Sequence, residues 1–410
     1  MTVTGIISEF NPFHRGHEVP IAKARAEMGD SGAVVCIMSG NCVQRGDLAI
    51  FRKHARAKAA IHGGADLVVE LPAPHVLSSA EPFALGGVSI LAAMGLPDTR
   101  LAFGCEDDDL EGLTAAAHIL AAPETQAKIA AAMKNGLSYG SASQAAVEGR
   151  GNAGALLQKP NNLLAIAYLR AIHRLNAPIT PLPTARKGTA HDSLTPADAY
   201  ASASYLRERI HRGEDEAETA WAYVSPQSAD IFKRELAQGR GPASLSRLES
   251  AVLSLLRHST PPQGGYLDDS EGLGRRIVNM AEKAGSLAEL YSLAKTKRYH
   301  LSRIRRLILN ICLGMSQADR PETPPYIRVL AANEIGRRLI RKMAKSASIP
   351  VITLPGQVKK LGGEALKLLQ KEKAVTDFQA LCFPNPEERR GGSEWHYRPY
   401  LAGDKAADIL

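Results

Sequence analysis

The chain has 410 residues, 45% of them hydrophobic and 22% charged, with a net charge of +8. That length suits two or three domains with a substantial core, and no apolar run of about 18 residues is present to span a membrane. The first ten residues do not read as a secretory signal. The five scattered cysteines form no C-x-x-C pair, which argues against a zinc site or disulfide framework and for a reducing cytoplasm.

Taken in chain order, residues 3–7 read as a short apolar strand stopped by the turn Ser8-Glu9-Phe10-Asn11-Pro12. Helical text begins at His17 and runs to residue 28. A second strand is predicted over 33–38, a helix over 52–62 ending at Gly63-Gly64, and a third strand over 66–71 stopped by Pro72. A helix over 81–94 and a fourth strand over 100–103, ending at Gly104, complete a strand–helix alternation. Such alternation indicates a parallel sheet with crossover helices. Ligands in such sheets sit at the carboxyl ends of the strands, so the loops after Ile7, Met38, Leu71 and Phe103 are where chemistry is expected. An amphipathic helix over 162–176, a strand over 179–183 and a helix over 198–212 follow. From Gly213 to Lys345 nearly everything reads as helix, broken at Pro261-Pro262 and at residues 321–325. A strand is predicted at 350–353 and an irregular tail over 384–398. The expected architecture is α/β: a Rossmann-like parallel-sheet domain over 1–212, then a mainly helical, basic domain over 213–410.

The sharpest signal is Asn11-Pro12-Phe13-His14-Arg15-Gly16-His17, placed between the first strand and the first helix. A helix N-terminus can hold phosphate through its free N–H groups and its dipole. His14 and His17 are three apart, so one helical turn puts both on one side. Their imidazole N–H groups could bind charge growing on an α-phosphate and a leaving pyrophosphate. Gly16 would let a nucleotide approach the backbone. His14 and His17 are therefore the candidate catalytic pair.

Phe10-Asn11-Pro12-Phe13-His14, then Gly16-His17, after a first strand resembles the HIGH-type nucleotidyltransferases. The longer stretch GIISEFNPFHRGH is similar to the bacterial tRNA(Met) cytidine acetate ligases. The resemblance runs almost end to end. It continues through Met38-Ser39-Gly40 with Gln44-Arg45-Gly46, the segment GADLVVELP over 64–72, and Phe103-Gly104-Cys105-Glu106. Pro160-Asn161-Asn162-Leu163-Leu164 with Tyr168 follows, then Arg186-Lys187, His191-Asp192, and Ala201-Ser202-Ala203-Ser204 with Arg207. The chain departs from the family pattern at Asn41-Cys42-Val43 and in the order Arg186-Lys187.

The resemblance implies a nucleotidyltransferase fold and a two-step reaction. Acetate attacks the α-phosphate of ATP to give acetyl-adenylate and pyrophosphate. The amine of the wobble cytidine of elongator tRNA(Met) then takes the acetyl group, releasing AMP. It also implies an ATP-binding segment of Ile7, Ser8, Glu9, Phe10, Asn11, Pro12, Phe13, His14, Arg15, Gly16, His17, Glu18, Val19 and Pro20. Further nucleotide contacts would fall on Gly104, Asn161, Asn162, Arg186 and Lys187. Mg²⁺ is expected to accompany ATP; its ligands are left open.

Ser202 and Ser204 could open a helix and hold phosphate oxygens with Arg207, or could simply cap it. Arg45 could meet a substrate carboxylate or a phosphate, or be an ordinary solvated arginine. Glu9 could position Mg²⁺ or a histidine, or satisfy backbone N–H groups, and Asp192 is equally open. His54, His62, His75 and His118 carry no partner pattern.

Residues 296–345 hold 12 Lys and Arg against 3 Asp and Glu, a surplus larger than the net charge of the whole chain. Such a localised excess suits a polyanion. Leu301, Ile304, Leu307, Ile308 and Ile311 follow helical spacing, with Arg303 and Arg306 on the opposite side. Residues 326–345, read as helix, add Arg328, Arg337, Arg338, Arg341, Lys342 and Lys345. Arg303, Arg306, Arg337, Arg338, Arg341 and Lys342 are the candidate tRNA contacts. Two other readings stand beside the ligase: adenylyl transfer to a small phosphorylated metabolite, and a non-catalytic RNA-binding protein with an ATP fold.

Overall fold

The computed structural model describes residues 1–29, 32–185 and 200–403. Ten strands are present among them: β1 (Val3–Ser8), β2 (Ala33–Ser39), β3 (Cys42–Val43), β4 (Asp47–Leu48), β5 (Leu67–Leu71), β6 (Thr99–Cys105), β7 (Ile179–Ala185), β8 (Ile327–Ala332), β9 (Val351–Ile352) and β10 (Tyr400–Leu401). The main sheet runs β10-β8-β5-β2-β1-β6-β7, with β9 beside β8, while β3 and β4 form a separate hairpin. Neighbours in the main sheet are parallel, except that β8 runs antiparallel to β5. β2 and β5 are buried along their whole length because helices cover both faces. That burial explains their unbroken apolar text.

Successive β2 residues feed opposite cores. Val35 and Ile37 join one apolar cluster, and Val34, Cys36 and Met38 join the other. The first cluster continues without a break into Val252, Ile277, Leu290, Ile304 and Leu307 of the later helices. The second holds the helix α1 (Arg15–Met28) and the helix α2 (Lys53–His62) against the sheet.

From β1 the chain builds outward through β2 to β5, then crosses back to place β6 and β7 on the other side of β1. The reversal falls between β1 and β6, and a crevice outside the carboxyl ends of such strands is where open α/β sheets bind ligands. The loop starting at Glu9 and the loop starting at Glu106 flank it.

Two expectations are corrected. Residues 327–332 are strand, not helix, and Arg328 is buried within it at 3% exposure. The helix expected from 198 is seen from Ala203 to His211. Pro20 is the sixth residue of α1, and its missing N–H leaves one interior helix bond unmade. Arg186, Lys187, His191 and Asp192 lie outside the described residues.

Candidate active site

The loop after β1 reverses through Phe10, at φ 48°, and a cis Asn11–Pro12 peptide. His14 is not inside α1 but caps it. Its Nδ1 accepts the Gly16 N–H at 3.0 Å, which places the proton on Nε2 and makes that atom the donor. His17, in the first turn, brings its ring centroid to 3.9 Å from that of His14. Phe10 packs edge-on to the His17 ring at 5.0 Å and Phe13 stacks on it at 5.9 Å. The two imidazoles thus sit together at the head of a helix on an aromatic base.

The first amides of α1 are engaged within the chain. The Arg15 N–H donates to Tyr223 O, Gly16 to the His14 ring, and His17 to His14 O. Gly16 also has a different reason to be glycine: a Cβ there would lie 2.7 Å from His14 Cε1. Arg15 and Val19 are exposed, and Phe13 is wholly buried.

Other strand-end loops close on this one. Arg207 Nη1 donates to Asn11 O at 2.8 Å, and its Nη2 donates to Ser204 Oγ at 2.9 Å. Ser202 caps the same helix by accepting the Tyr205 N–H at 3.0 Å. Glu9 Oε1 accepts the Gln44 N–H at 2.5 Å, joining the first loop to the β3–β4 hairpin. Burial raises the Glu9 carboxyl above its ordinary value, against the pull of the Gln44 N–H and of Arg207, Arg56 and Arg45. Arg45 itself is exposed at the hairpin turn. The hydroxyls of Ser8 and Ser39, at the ends of β1 and β2, are buried and make no hydrogen bond.

Gly104 is exposed at the end of β6. Glu106, two residues on, caps the helix Pro160–Arg174: its carboxylate accepts from the Asn161 N–H at 3.1 Å and the Asn162 N–H at 2.8 Å. Asn162 is wholly buried and holds the Glu106 loop through its own amide. Asn161 stays near the surface, its amide on Glu106 at 2.6 Å. Among the described residues no group of three or more His, Cys, Asp or Glu is placed to hold a metal.

Sequence reasoning missed Arg56. Its guanidinium is wholly buried and donates to the carbonyls of Glu9, Ser39, Gly40 and Phe51, clamping the ends of β1 and β2 together. Burial pulls it down to about 10, opposed first by Glu9. Its partners are scattered in sequence, so no local pattern marks it. A second missed feature had a local sign. Glu70 and Arg328 are charged residues within otherwise apolar strands, and a buried charge must be paired. Lys53, Glu70, Arg328 and Glu394 form one buried ionic cluster.

The basic candidates separate. Arg306 is buried, with Nε 3.2 Å from Asp268, and Arg303 pairs with Glu271 at 2.9 Å. Arg337 donates to Ala402 O at 2.7 Å. Arg338, Arg341, Lys342 and Lys345 are exposed on the helix Glu334–Ser346.

The profile of the HIGH nucleotidyl transferase family matches residues 1–394. The chain belongs to that family. It is 35% identical to a tRNA(Met) cytidine acetate ligase of Acetivibrio thermocellus over 96% of this chain and 98% of the relative. It is also 35% identical to one of Syntrophomonas wolfei, over 97% and 99%. A crystal structure of Thermotoga maritima TmcAL bound with α-thio-ATP superposes with a TM-score of 0.88 at 29% identity, covering 98% of this chain and 99% of that one. The HIGH nucleotidyltransferase sheet and the two-histidine loop are thus parts of a likeness that spans the chain.

Proposed function

We propose that the protein is a ligase that joins acetate to the wobble cytidine of elongator tRNA(Met), using ATP. The observation that carries this reading is the His14–His17 pair at 3.9 Å, set at the head of α1 where the sheet reverses. The chain's relatives along almost its whole length are named tRNA(Met) cytidine acetate ligases.

In this reading the triphosphate lies over the first loop. The acetate carboxylate attacks the α-phosphorus, and the bond from that phosphorus to the pyrophosphate oxygen breaks. His14 Nε2–H and the His17 ring stabilise the negative charge that develops on the phosphoryl oxygens. Arg207 and the Ser202–Ser204 helix start hold the loop from the far side and stand near its charge. Arg45, at the hairpin turn, meets the acetate carboxylate or a phosphate. The buried hydroxyls of Ser8 and Ser39 sit at the ends of β1 and β2, where the nucleotide would lie. Ile7 to Pro20, Gly104 and Asn161 make the nucleotide's surroundings, with Asn162 holding the Glu106 loop behind them. Mg²⁺ would accompany ATP as its counter-ion and would neutralise phosphate charge. The cytidine amine then attacks the acetyl carbonyl, AMP leaves, and acetylcytidine forms.

Residues 1–212 carry the ATP chemistry and residues 213–410 the RNA contact, with Arg338, Arg341 and Lys342 as its exposed cations. Incubation with ATP, labelled acetate and tRNA(Met) should label the tRNA and release one AMP per acetyl group. Labelling from a phosphorylated metabolite instead, or ATP hydrolysis that ignores both acetate and tRNA, would reject the ligase.

A further inference from the structure

The basic helix Leu301–Cys312 lies across the loops that follow two strands of the sheet. Arg306 donates from Nη1 to Gln44 O at 3.2 Å, while its Nε faces Asp268 Oδ2 at 3.2 Å. The backbone of the same residue, Gln44, gives its N–H to Glu9 at 2.5 Å. Glu9 is followed by Phe10, whose ring packs on His17. At Gly46, with φ +78°, a Cβ would lie 2.2 Å from Arg306 N and 2.6 Å from Arg305 C. The hairpin turn therefore rests directly on the backbone of this helix, and only glycine permits the approach. One turn further on, Asn310 Nδ2 donates to Leu77 O at 3.1 Å and Leu267 O at 2.9 Å, tying the loop after β5 to the same helix.

We propose that Arg306 is a positioning residue for ATP activation: through the backbone of Gln44 it fixes Glu9, and with it the His14–His17 loop, to the helical half of the protein. Arg306 is 6% exposed and its charge is matched by Asp268, so it has neither the exposure nor the spare charge of a phosphate contact. Removing it frees the hairpin from the helix and lets Glu9 and Arg45 drift from the crevice. The proposal rests on the assignment of the Glu9–His17 loop to ATP.

The test measures two quantities on the full chain. One is acetate-dependent ATP–pyrophosphate exchange without tRNA. The other is tRNA binding across a series of salt concentrations. Arg306→Gln should lower kcat for exchange about tenfold, the loss expected on removing one charged hydrogen bond, with a smaller change in KM for ATP. The salt dependence of tRNA binding should stay as in wild type. Arg306→Lys, which keeps the charge but cannot reach Asp268 and Gln44 together, should recover only part of the rate. Unchanged exchange with a salt slope reduced by about one, restored by lysine, would make Arg306 a phosphate contact and overturn the proposal. If Arg306→Gln does not fold, Asp268→Asn decides: slower exchange supports the positioning role and wild-type exchange rejects it. A wild type without exchange would remove the ATP assignment as well, whereas an active wild type matched by active variants removes the coupling alone.

Discussion

Lys53→Met gives the most exposed test of how the sheet is held under the site. Lys53 is wholly buried, with Nζ 2.6 Å from Glu70 and 2.6 Å from Glu394. Arg328 shares both carboxylates. Burial works against ionisation of Glu394, but Arg328 and Lys53 overcome it and hold its carboxyl well below the usual range. Burial, then the charge of Glu70, pushes Glu372 well above that range. The four paired groups balance, two cations against two carboxylates. Removing one cation leaves a buried negative charge uncompensated, at a cost of about 3–5 kcal/mol. A chain of 410 residues unfolds with an entropy of roughly 0.9 kcal/mol per kelvin, so Tm should fall by about 4–6 °C. Calorimetry at pH 7 measures it. A depressed carboxyl contributes stability that is present above its unfolded value near 4.5 and lost as pH falls. In the variant an uncompensated carboxylate can take up a proton, so its deficit should narrow between pH 7 and 4. Lys53→Met with Glu70→Gln should recover most of the loss. A single variant within about 1 °C of wild type at pH 7 would refute the charge balance described.

Gly16→Ala should push the His14 ring aside, because the new Cβ would lie 2.7 Å from Cε1; exchange activity should fall about tenfold or more while Tm stays within a degree or two. Glu372→Gln should be at least as stable as wild type. The raised carboxyl of Glu372 binds its proton more tightly when folded, so its contribution is lost as pH rises. The advantage of the variant should therefore grow from pH 5 to pH 8, and a shrinking advantage would reverse the assigned direction. Arg338→Ala with Arg341→Ala should weaken tRNA binding uniformly and lower its salt slope by about two, without slowing exchange in the absence of tRNA.

The sheet was legible where its text is local. β1, β2, β5, β6 and β7 are short apolar runs closed by turn residues, and the first loop carries its histidines within seven positions. β8 was not legible as strand because its Arg328 resembles the basic helical text around it. Its burial depends on Glu70 and Glu394, 258 and 66 residues away. The apolar stripe of the helix Leu301–Cys312 was read correctly, with Ile304, Leu307, Ile308 and Ile311 buried. The exposure of Arg306 was not, because a turn at Gly46 covers it from outside that pattern. The site shows the same division. His14 and His17 announce themselves in sequence, whereas Arg56 becomes visible only when the ends of β1 and β2 are placed side by side. At the start of α1 a capping imidazole and neighbouring carbonyls engage the amides that an isolated helix start would leave open.

Acetate-dependent exchange of labelled pyrophosphate into ATP tests the role of the two-histidine loop most directly. The wild type should exchange without tRNA, and His14→Ala and His17→Ala should each lose about 100-fold or more in rate while keeping the wild-type Tm. Folded variants that exchange at the wild-type rate, or exchange that does not respond to acetate, would contradict the assignment of α-phosphate chemistry to this loop.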